Sequence, residues 1–258
     1  MTRVCAVAPV RDRAWILPTW LWHLDLQRSA DIEVDIVVFY EGAGEGLDDG
    51  TYGLLAAEGA RADHQVAILS NTAWRTPRDD DDVIQHRWRA NFYRYLSKLR
   101  NTLQEFVERD GNYDFLLSVD SDILLSPGTL ERLIADATET GGIVGPLVNL
   151  DPAPWCVAWN YMTWVPGHPG WAERRFAEPL PLDSGIHRVD VLMACSLAPL
   201  GDGPLPLWQE SAQGEDVGWS ENCLAEGRRL YVDTDLVCRH VMNRRVLPNP
   251  WAVEPSLP

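Results

Sequence analysis

The chain has 258 residues, of which 38 are acidic and 22 are basic, so its formal net charge is −16. Such an acidic surface repels nucleic-acid backbones and anionic lipids, and we expect neither as a partner. The N-terminal apolar run is too short for a signal peptide, and no stretch approaches the length of a transmembrane segment. Five cysteines without a C-x-x-C pair favour reduced thiols over a zinc site or a disulfide framework, so the protein is expected to be cytoplasmic.

The first half of the chain predicts strands that alternate with helices. Apolar and β-branched runs predict strands over 4–10, 34–40 and 65–69, and apolar residues at three- and four-residue steps predict helices over 14–27 and 88–110. The apolar run 115–125 predicts a further strand, and a helix follows that Ser126 caps and Pro127 begins. This alternation predicts an α/β fold with a central, mostly parallel mixed sheet flanked by helices.

The second half of the chain has less regular patterns. Strands are predicted over 142–148, 189–198 and 230–241, and a helix over 215–226. The segment 151–185 has no clean period and contains four tryptophans, Trp155, Trp159, Trp164 and Trp171. These rings either form a platform for a sugar face or fill irregular structure as large hydrophobic groups. The acidic run 79–82 is interpreted as solvated surface, and the lack of repeats or long linkers predicts one domain.

The stretch FLLSVDSDILLSP (115–127) places two carboxylates, Asp120 and Asp122, inside an apolar run. An ionised carboxylate without a partner costs far more free energy on burial than a neighbouring leucine recovers. Because residues two apart in a strand share a face, both carboxylates are expected at the carboxyl end of a central strand, where open α/β sheets bind ligands. The pair suits a hard divalent cation that keeps positions open for phosphate oxygens. Alternatively, both acids cap the next helix, a role that Ser126 already fills.

The region around these aspartates, DFLLSVDSDILLSPGTLERLI, resembles the DxD region of GT-A fold glycosyltransferases. Further segments are similar to other parts of family 2-type members, namely APVRDRAWILPTWLWHL, SKLRNTLQEFV, VDVLMACSLAPL and GEDVGWSENCLAEGRRLYVDTDLVCRH. The resemblance implies a single GT-A domain over 1–258, with a nucleotide-sugar donor half at 1–125 and an acceptor half at 126–258. It covers most of the chain except about 150–185.

The resemblance implies a metal-dependent transferase of the hexosyltransferase type, which moves a sugar from a nucleotide sugar to an acceptor hydroxyl. A UDP-sugar is the favoured donor, and a GDP-sugar is the alternative. Mn²⁺ or Mg²⁺ would be bound by Asp120 and Asp122, with His240 as third ligand; His240 is otherwise a core histidine. The resemblance implies that the nucleotide-sugar donor and its cation are bound by Pro9, Arg11, Glu41, Arg100, Asp120, Ser121 and Asp122.

Arg100, Glu215 and Asp216 each have two interpretations. Arg100 falls off the apolar face of its helix, and it either pairs with phosphate oxygens or is a surface arginine. Acids at a helix N-terminus, such as Glu215 and Asp216, are favoured by the helix dipole alone. The resemblance implies instead that one of them is the general base of an inverting reaction, Asp216 first and Glu215 second.

Two other classes of protein stay open. A phosphatase of the haloacid-dehalogenase type also uses D-x-D after an apolar strand, but it needs the motif near the N-terminus and a lysine further on, whereas Lys98 precedes the motif here. A non-catalytic module that binds carbohydrate or nucleotide is the second alternative. Release of nucleotide diphosphate from a nucleotide sugar separates an enzyme from such a module.

Overall fold

The computed structural model describes residues 1–42, 49–61, 65–70, 90–148, 160–163 and 183–241. The acidic run 79–82 and the tryptophans of 151–185 that the sequence singles out lie outside these residues. The helices are α1 (Leu17–Asp25), α2 (Thr51–Arg61), α3 (Ala90–Asp110), α4 (Thr129–Thr140) and α5 (Glu215–Ala225). The strands are β1 (Thr2–Val10), β2 (Ile32–Tyr40), β3 (Val66–Ser70), β4 (Phe115–Val119), β5 (Ile123–Leu124), β6 (Ile143–Val148), β7 (Tyr161–Met162), β8 (Ile186–Val189), β9 (Val191–Leu192), β10 (Cys195–Pro199) and β11 (Leu230–His240).

The main sheet has the strand order β3-β2-β1-β4-β10-β6-β11-β5, and β8 also pairs with β11. Strands β3, β2, β1 and β4 are parallel, as are β6 and β11. Strand β10 lies between these two groups and runs antiparallel to both β4 and β6. The predicted α/β class with a mostly parallel mixed sheet is therefore confirmed, whereas a single domain over 1–258 stays a prediction.

The central strands are buried on both faces, which is why they read as nearly continuous apolar runs. On one face, alternate residues of β1 pack with α1 and α4, through Trp20 and Leu133 among others. On the other face, Cys5 and Val7 belong to a cluster with residues of α3 and α5, among them Leu103. The two layers of helices thus fix the sheet between them, and they leave its carboxyl edge to the loops.

Three predicted details are wrong. The run 115–125 is not one strand, because the chain turns between β4 and β5, where Asp, Ser and Asp are good turn formers. Ser126 does not cap α4, since its hydroxyl donates to the carbonyl of Val237 and the helix begins after Gly128. The predicted strand 189–198 is interrupted at Ala194, whose φ of 64° is left-handed.

Two further observations concern the helices. Helix α2 was not predicted, because its sequence TYGLLAAEGAR contains two glycines, which are poor helix formers. Within the described ranges, none of the helices combines the length and the apolar character that crossing a bilayer requires.

Candidate active site

Asp120 and Asp122 lie in the turn that directly follows β4, at the carboxyl edge of the parallel strands. The turn is closed by a hydrogen bond from Ile123 N to Asp120 O at 3.0 Å. Asp120 N donates to the carbonyl of Ala194 at 2.9 Å, which ties the turn to the start of β10. The carboxylates thus lie at the predicted edge of the sheet. Their direction is set by the turn after β4, and not by the alternation of side chains along a strand.

Arg100 of α3 connects Asp120 to the acids of α5. One terminal guanidinium nitrogen (Nη2) of Arg100 donates to Asp120 Oδ1 at 2.7 Å, and Nε donates to Glu215 Oε1 at 3.2 Å. The same Nη2 lies 3.9 Å from Asp216 Oδ1, and the other terminal nitrogen donates to the Ser118 hydroxyl at 3.2 Å. Arg100 is only 5% exposed, so its interpretation as a surface arginine is wrong.

The charges around Arg100 are unequal, with three carboxylates against one guanidinium. Burial acts to lower the pKa of Arg100, but the neighbouring carboxylates outweigh burial and raise it. Burial raises the pKa of Asp216 well above its ordinary value, and it also raises the pKa of Glu215. The positive charge of Arg100 acts to lower both pKa values, but burial outweighs it. The arrangement therefore holds a carboxyl group with increased proton affinity beside the turn of Asp120.

Asp122 is bound by basic residues other than Arg100. Arg13 donates to Asp122 Oδ2 at 3.0 Å, and His240 Nε2 lies 3.7 Å from Asp122 Oδ1. Burial acts to raise the pKa of Asp122, but the interaction with His240 and the charge of Arg13 outweigh burial and lower it. Burial acts to lower the pKa of His240, and Asp122 outweighs burial and raises it. His240 at the end of β11 thus lies beside the aspartate turn, where the sequence resemblance places it.

The residues proposed as metal ligands fit a cation in part. Asp122 Oδ1 and His240 Nε2 face each other, and the Nδ1 atom of His240 is buried without a hydrogen-bond partner in the described part of the chain. Carboxylates suit Mn²⁺ and Mg²⁺, and a neutral imidazole is a common ligand of metal ions in proteins. Asp120 is bound by Arg100, and among the described residues no three His, Cys, Asp or Glu side chains converge as a ready metal cluster. Asp122 and His240 are therefore the pair that fits best.

Three of the residues implied to bind the donor, Pro9, Arg11 and Glu41, lie together at the ends of β1 and β2. Arg11 donates to Glu41 Oε1 at 3.0 Å, and the Ser121 hydroxyl donates to the carbonyl of Pro9 at 3.4 Å. The parallel pairing of β1 with β2 produces this proximity, because Pro9 lies opposite Phe39 in the register. These residues therefore share one edge of the sheet with the aspartate turn.

Sequence reasoning missed two residues that contact this site. Arg13 has no predicted role, yet its guanidinium donates to Asp122 Oδ2. Trp208 lies under Arg100, with the guanidinium carbon 4.7 Å from its ring centroid. The position of Arg13, two residues after the implied donor-binding residue Arg11, is a sequence signal that could have found it. No local pattern distinguishes Trp208 from the other tryptophans.

The chain has structural counterparts among solved proteins, although neither a family model nor a curated protein sequence matches it. The mannosyltransferase PcManGT from Pyrobaculum calidifontis, solved with GDP-Man and Mn²⁺, has 13% identity and a TM-score of 0.56 over 95% of this chain and 58% of its own. S. aureus TarS 1–349 has 16% identity and a TM-score of 0.55 over 93% of this chain and 60% of its own. TarS 1–349 with UDP-GlcNAc matches with a TM-score of 0.51 and 16% identity, over 96% of this chain and 62% of its own. The fold is GT-A-like. This chain spans about 60% of the length of these neighbours.

Proposed function

We propose that the protein is a metal-dependent glycosyltransferase that moves a sugar from a nucleotide sugar to an acceptor hydroxyl with inversion. The observation that carries this proposal is the Arg100 centre, which joins the DxD turn at Asp120 to the acids at the start of α5. A transferase needs its donor site and its base a short distance apart. The GT-A-like fold supports the assignment, and it favours a transferase over a phosphatase of the haloacid-dehalogenase type.

On the donor side, Asp122 and His240 would hold Mn²⁺ or Mg²⁺, with Asp120 beside them. When bound, the cation supplies Lewis-acid stabilisation of the leaving diphosphate. Pro9, Arg11 and Glu41, with Ser121, would bind the nucleoside at the adjoining edge, and Arg100 would keep the turn of Asp120 in place. A neighbour solved with GDP-Man and another solved with UDP-GlcNAc support a nucleotide-sugar donor, UDP-sugar first and GDP-sugar second.

On the acceptor side, Asp216 is the proposed base and Glu215 the second candidate. The Asp216 carboxylate lies at the start of α5, with its Oδ1 atom 3.9 Å from Nη2 of Arg100. Burial raises the pKa of Asp216, and a base is most effective when its pKa approaches the working pH. Asp216 would take the proton of the acceptor hydroxyl as that oxygen attacks the anomeric carbon.

Asp216→Asn tests the proposed base. The amide cannot take a proton, so kcat should fall roughly 10²–10⁴-fold while donor affinity changes little. The measurement is release of nucleotide diphosphate from UDP- and GDP-sugars with Mn²⁺, with donor affinity from calorimetry. Loss of turnover only in Glu215→Gln would move the role to Glu215, and unchanged turnover in both variants would contradict an acidic base in this pair.

Chelation tests the metal assignment and separates a transferase from a binding module. Nucleotide affinity should fall sharply in EDTA and recover with Mn²⁺ or Mg²⁺, and Asp122→Asn should weaken it even with metal present. Equal affinity with and without metal would contradict the assignment. Metal-dependent binding of a nucleotide sugar without any turnover would favour the non-catalytic module. The acceptor and a cytoplasmic location stay predictions.

A further inference from the structure

An extended segment, residues 205–210, lies between helices α3 and α5 and is here called the strap. It has no regular secondary structure, yet side chains of α3 bind its backbone repeatedly. Glu108 accepts from Leu205 N at 2.8 Å, and Gln104 donates to Leu205 O at 2.8 Å. The Asn101 side chain binds both backbone groups of Trp208. Its Oδ1 atom accepts from Trp208 N at 2.8 Å, and its Nδ2 atom donates to Trp208 O at 2.9 Å. The polar face of α3 therefore binds the strap.

The same strap is bound by α5 on its other side. The Trp219 indole nitrogen donates to Pro206 O at 3.1 Å, and Asn222 donates to Leu207 O at 2.7 Å. At Gly218 the two backbones approach so closely that a Cβ atom would lie 2.2 Å from Gln209 O. Because that oxygen belongs to the backbone, no side-chain rotation could relieve the overlap. The strap thus keeps α5 at a fixed distance.

The strap also contacts the arginine at the centre of the site. The ring of Trp208 stacks on Trp219 with a centroid distance of 4.6 Å and an angle of 7°, and Arg100 lies over Trp208 at 4.7 Å. A guanidinium over an aromatic face is attracted by the ring quadrupole, more so where both groups are buried. Arg100, Trp208 and Trp219 therefore form one packed column that runs from α3 through the strap to α5.

We infer that the strap is a spacer that sets the separation between Arg100 on α3 and the acid pair on α5, with Trp208 and Gly218 as positioning residues. This inference rests on the proposed function, because the acid pair contains the proposed base. Neither residue reaches a reacting atom. Each acts through the distances of 3.2 Å and 3.9 Å that join Arg100 to Glu215 and Asp216.

Gly218→Ala is the sharpest test, and Gly53→Ala is its matched control. Both glycines lie in helices, but a Cβ at Gly53 of α2 meets nothing within 4 Å. Alanine is the better helix former at both positions, so only the contact with the strap differs. We expect Gly218→Ala to lower kcat roughly 10–100-fold, since a misplacement of about 1 Å can cost that much, with the donor KM unchanged. Gly53→Ala should keep the wild-type kcat.

Trp208 is tested with a conservative pair of variants. Trp208→Phe keeps an aromatic face under Arg100 and should retain most of the turnover. Trp208→Leu removes that face, and its kcat should fall by about as much as that of Gly218→Ala. Leu133→Ala of α4 removes buried packing in the core cluster on the other face of the sheet, which does not contain Trp208 or Trp219, and it serves as a control for general loss of stability. Turnover is measured well below the melting temperature of every variant.

A second readout separates this inference from the proposed function. The Nε–H of Arg100, bonded to Glu215, should give a slowly exchanging ¹H–¹⁵N signal, assigned by its absence in Arg100→Lys. Loss of this signal in Gly218→Ala and Trp208→Leu, but not in the controls, supports the spacer whether or not any donor is turned over. If wild-type protein turns over no donor, the proposed function fails alone. If the signal persists in both variants, or if they keep wild-type kcat, the spacer inference is overturned.

Discussion

Two arginines of this protein, Arg100 and Arg132, each lie between acidic side chains of separate elements. Arg100 is buried, and its acids belong to the turn after β4 and to α5. The Arg132 side chain is 50% exposed and binds Asp136 of α4 at 3.0 Å and Asp233 of β11 at 3.2 Å. The first centre lies in the candidate active site, and the second contains none of the residues assigned to that site.

The two centres differ in how excess negative charge is accommodated. Arg100 cannot leave its carboxylates, because protein surrounds it on all sides and Trp208 lies beneath it. At the exposed centre, water screens Arg132. Burial of the Asp136 carboxyl, together with the hydrogen bond that its protonated form donates to Asp233, raises the pKa of Asp136 to about 6. Burial raises the pKa of an acid at both centres, of Asp216 beside Arg100 and of Asp136 beside Arg132. The two centres differ in the arginine, which is enclosed by protein at the first and half exposed to water at the second.

The largest effect is expected from Arg100→Met. Removal of the guanidinium leaves buried carboxylates without a partner, and breaking a buried ion pair in this way typically costs about 3–5 kcal/mol. We expect the free energy of unfolding in urea to fall by that amount at pH 7 and turnover to be lost. A decrease below about 1 kcal/mol would show that water reaches this centre, and it would end the contrast with Arg132.

A smaller effect is expected from Asp136→Asn, and it depends on pH. The folded-state pKa of Asp136, about 6, exceeds its ordinary value of 3.8, so its contribution to stability is complete below about pH 4 and is lost as pH rises through 6. The loss amounts to about 2–3 kcal/mol for a shift of this size. An asparagine stays neutral and donates to Asp233, so the variant should lose less stability than wild type between pH 4.5 and 7.5.

The control for this pH dependence is Asp31→Asn, which changes an exposed carboxylate in the loop before β2. Its unfolding free energy should follow that of wild type across the same range of pH. Parallel curves for wild type and Asp136→Asn would show that Asp136 and Asp233 share no proton.

The smallest effect is expected from Arg132→Gln. Exposed ion pairs contribute about 0–1 kcal/mol, and at pH 5 a proton on the Asp136–Asp233 pair replaces part of the lost positive charge. We expect a small decrease at pH 5 and a larger one at pH 8, both well below the decrease in Arg100→Met. If the variant is destabilised as strongly as Arg100→Met, burial of the arginine is not what distinguishes the two centres.

Much of the proposed donor site, at the carboxyl edge of the sheet, could be predicted from the sequence, because local patterns determine the strands that form this edge. The apolar run before Asp120 predicts a central strand, and parallel sheets bring the ends of such strands to one edge. The pairing of Arg11 with Glu41 follows from the same rule, since β1 and β2 are adjacent and parallel.

The Arg100 centre could not be predicted in this way. It exists because β10 runs antiparallel between β4 and β6, which brings the start of α5 next to α3. No spacing in the sequence encodes that reversal. The contact of Arg13 with Asp122 and the stack of Trp208 under Arg100 likewise depend on packing between distant elements.

The contacts of the candidate site join parts of the chain that are far apart in sequence, with consequences for how the protein folds. Arg100 and Glu215 are separated by 115 residues, and Arg13 and Asp122 by 109. Contacts of such high sequence separation form slowly, because the chain must lose the entropy of large loops before they are made. Helices α3 and α4 have local contacts and can form early. A refolding chain should therefore regain its helical circular dichroism before it regains nucleotide binding, and a nascent chain has no complete site until the residues of β11 have emerged.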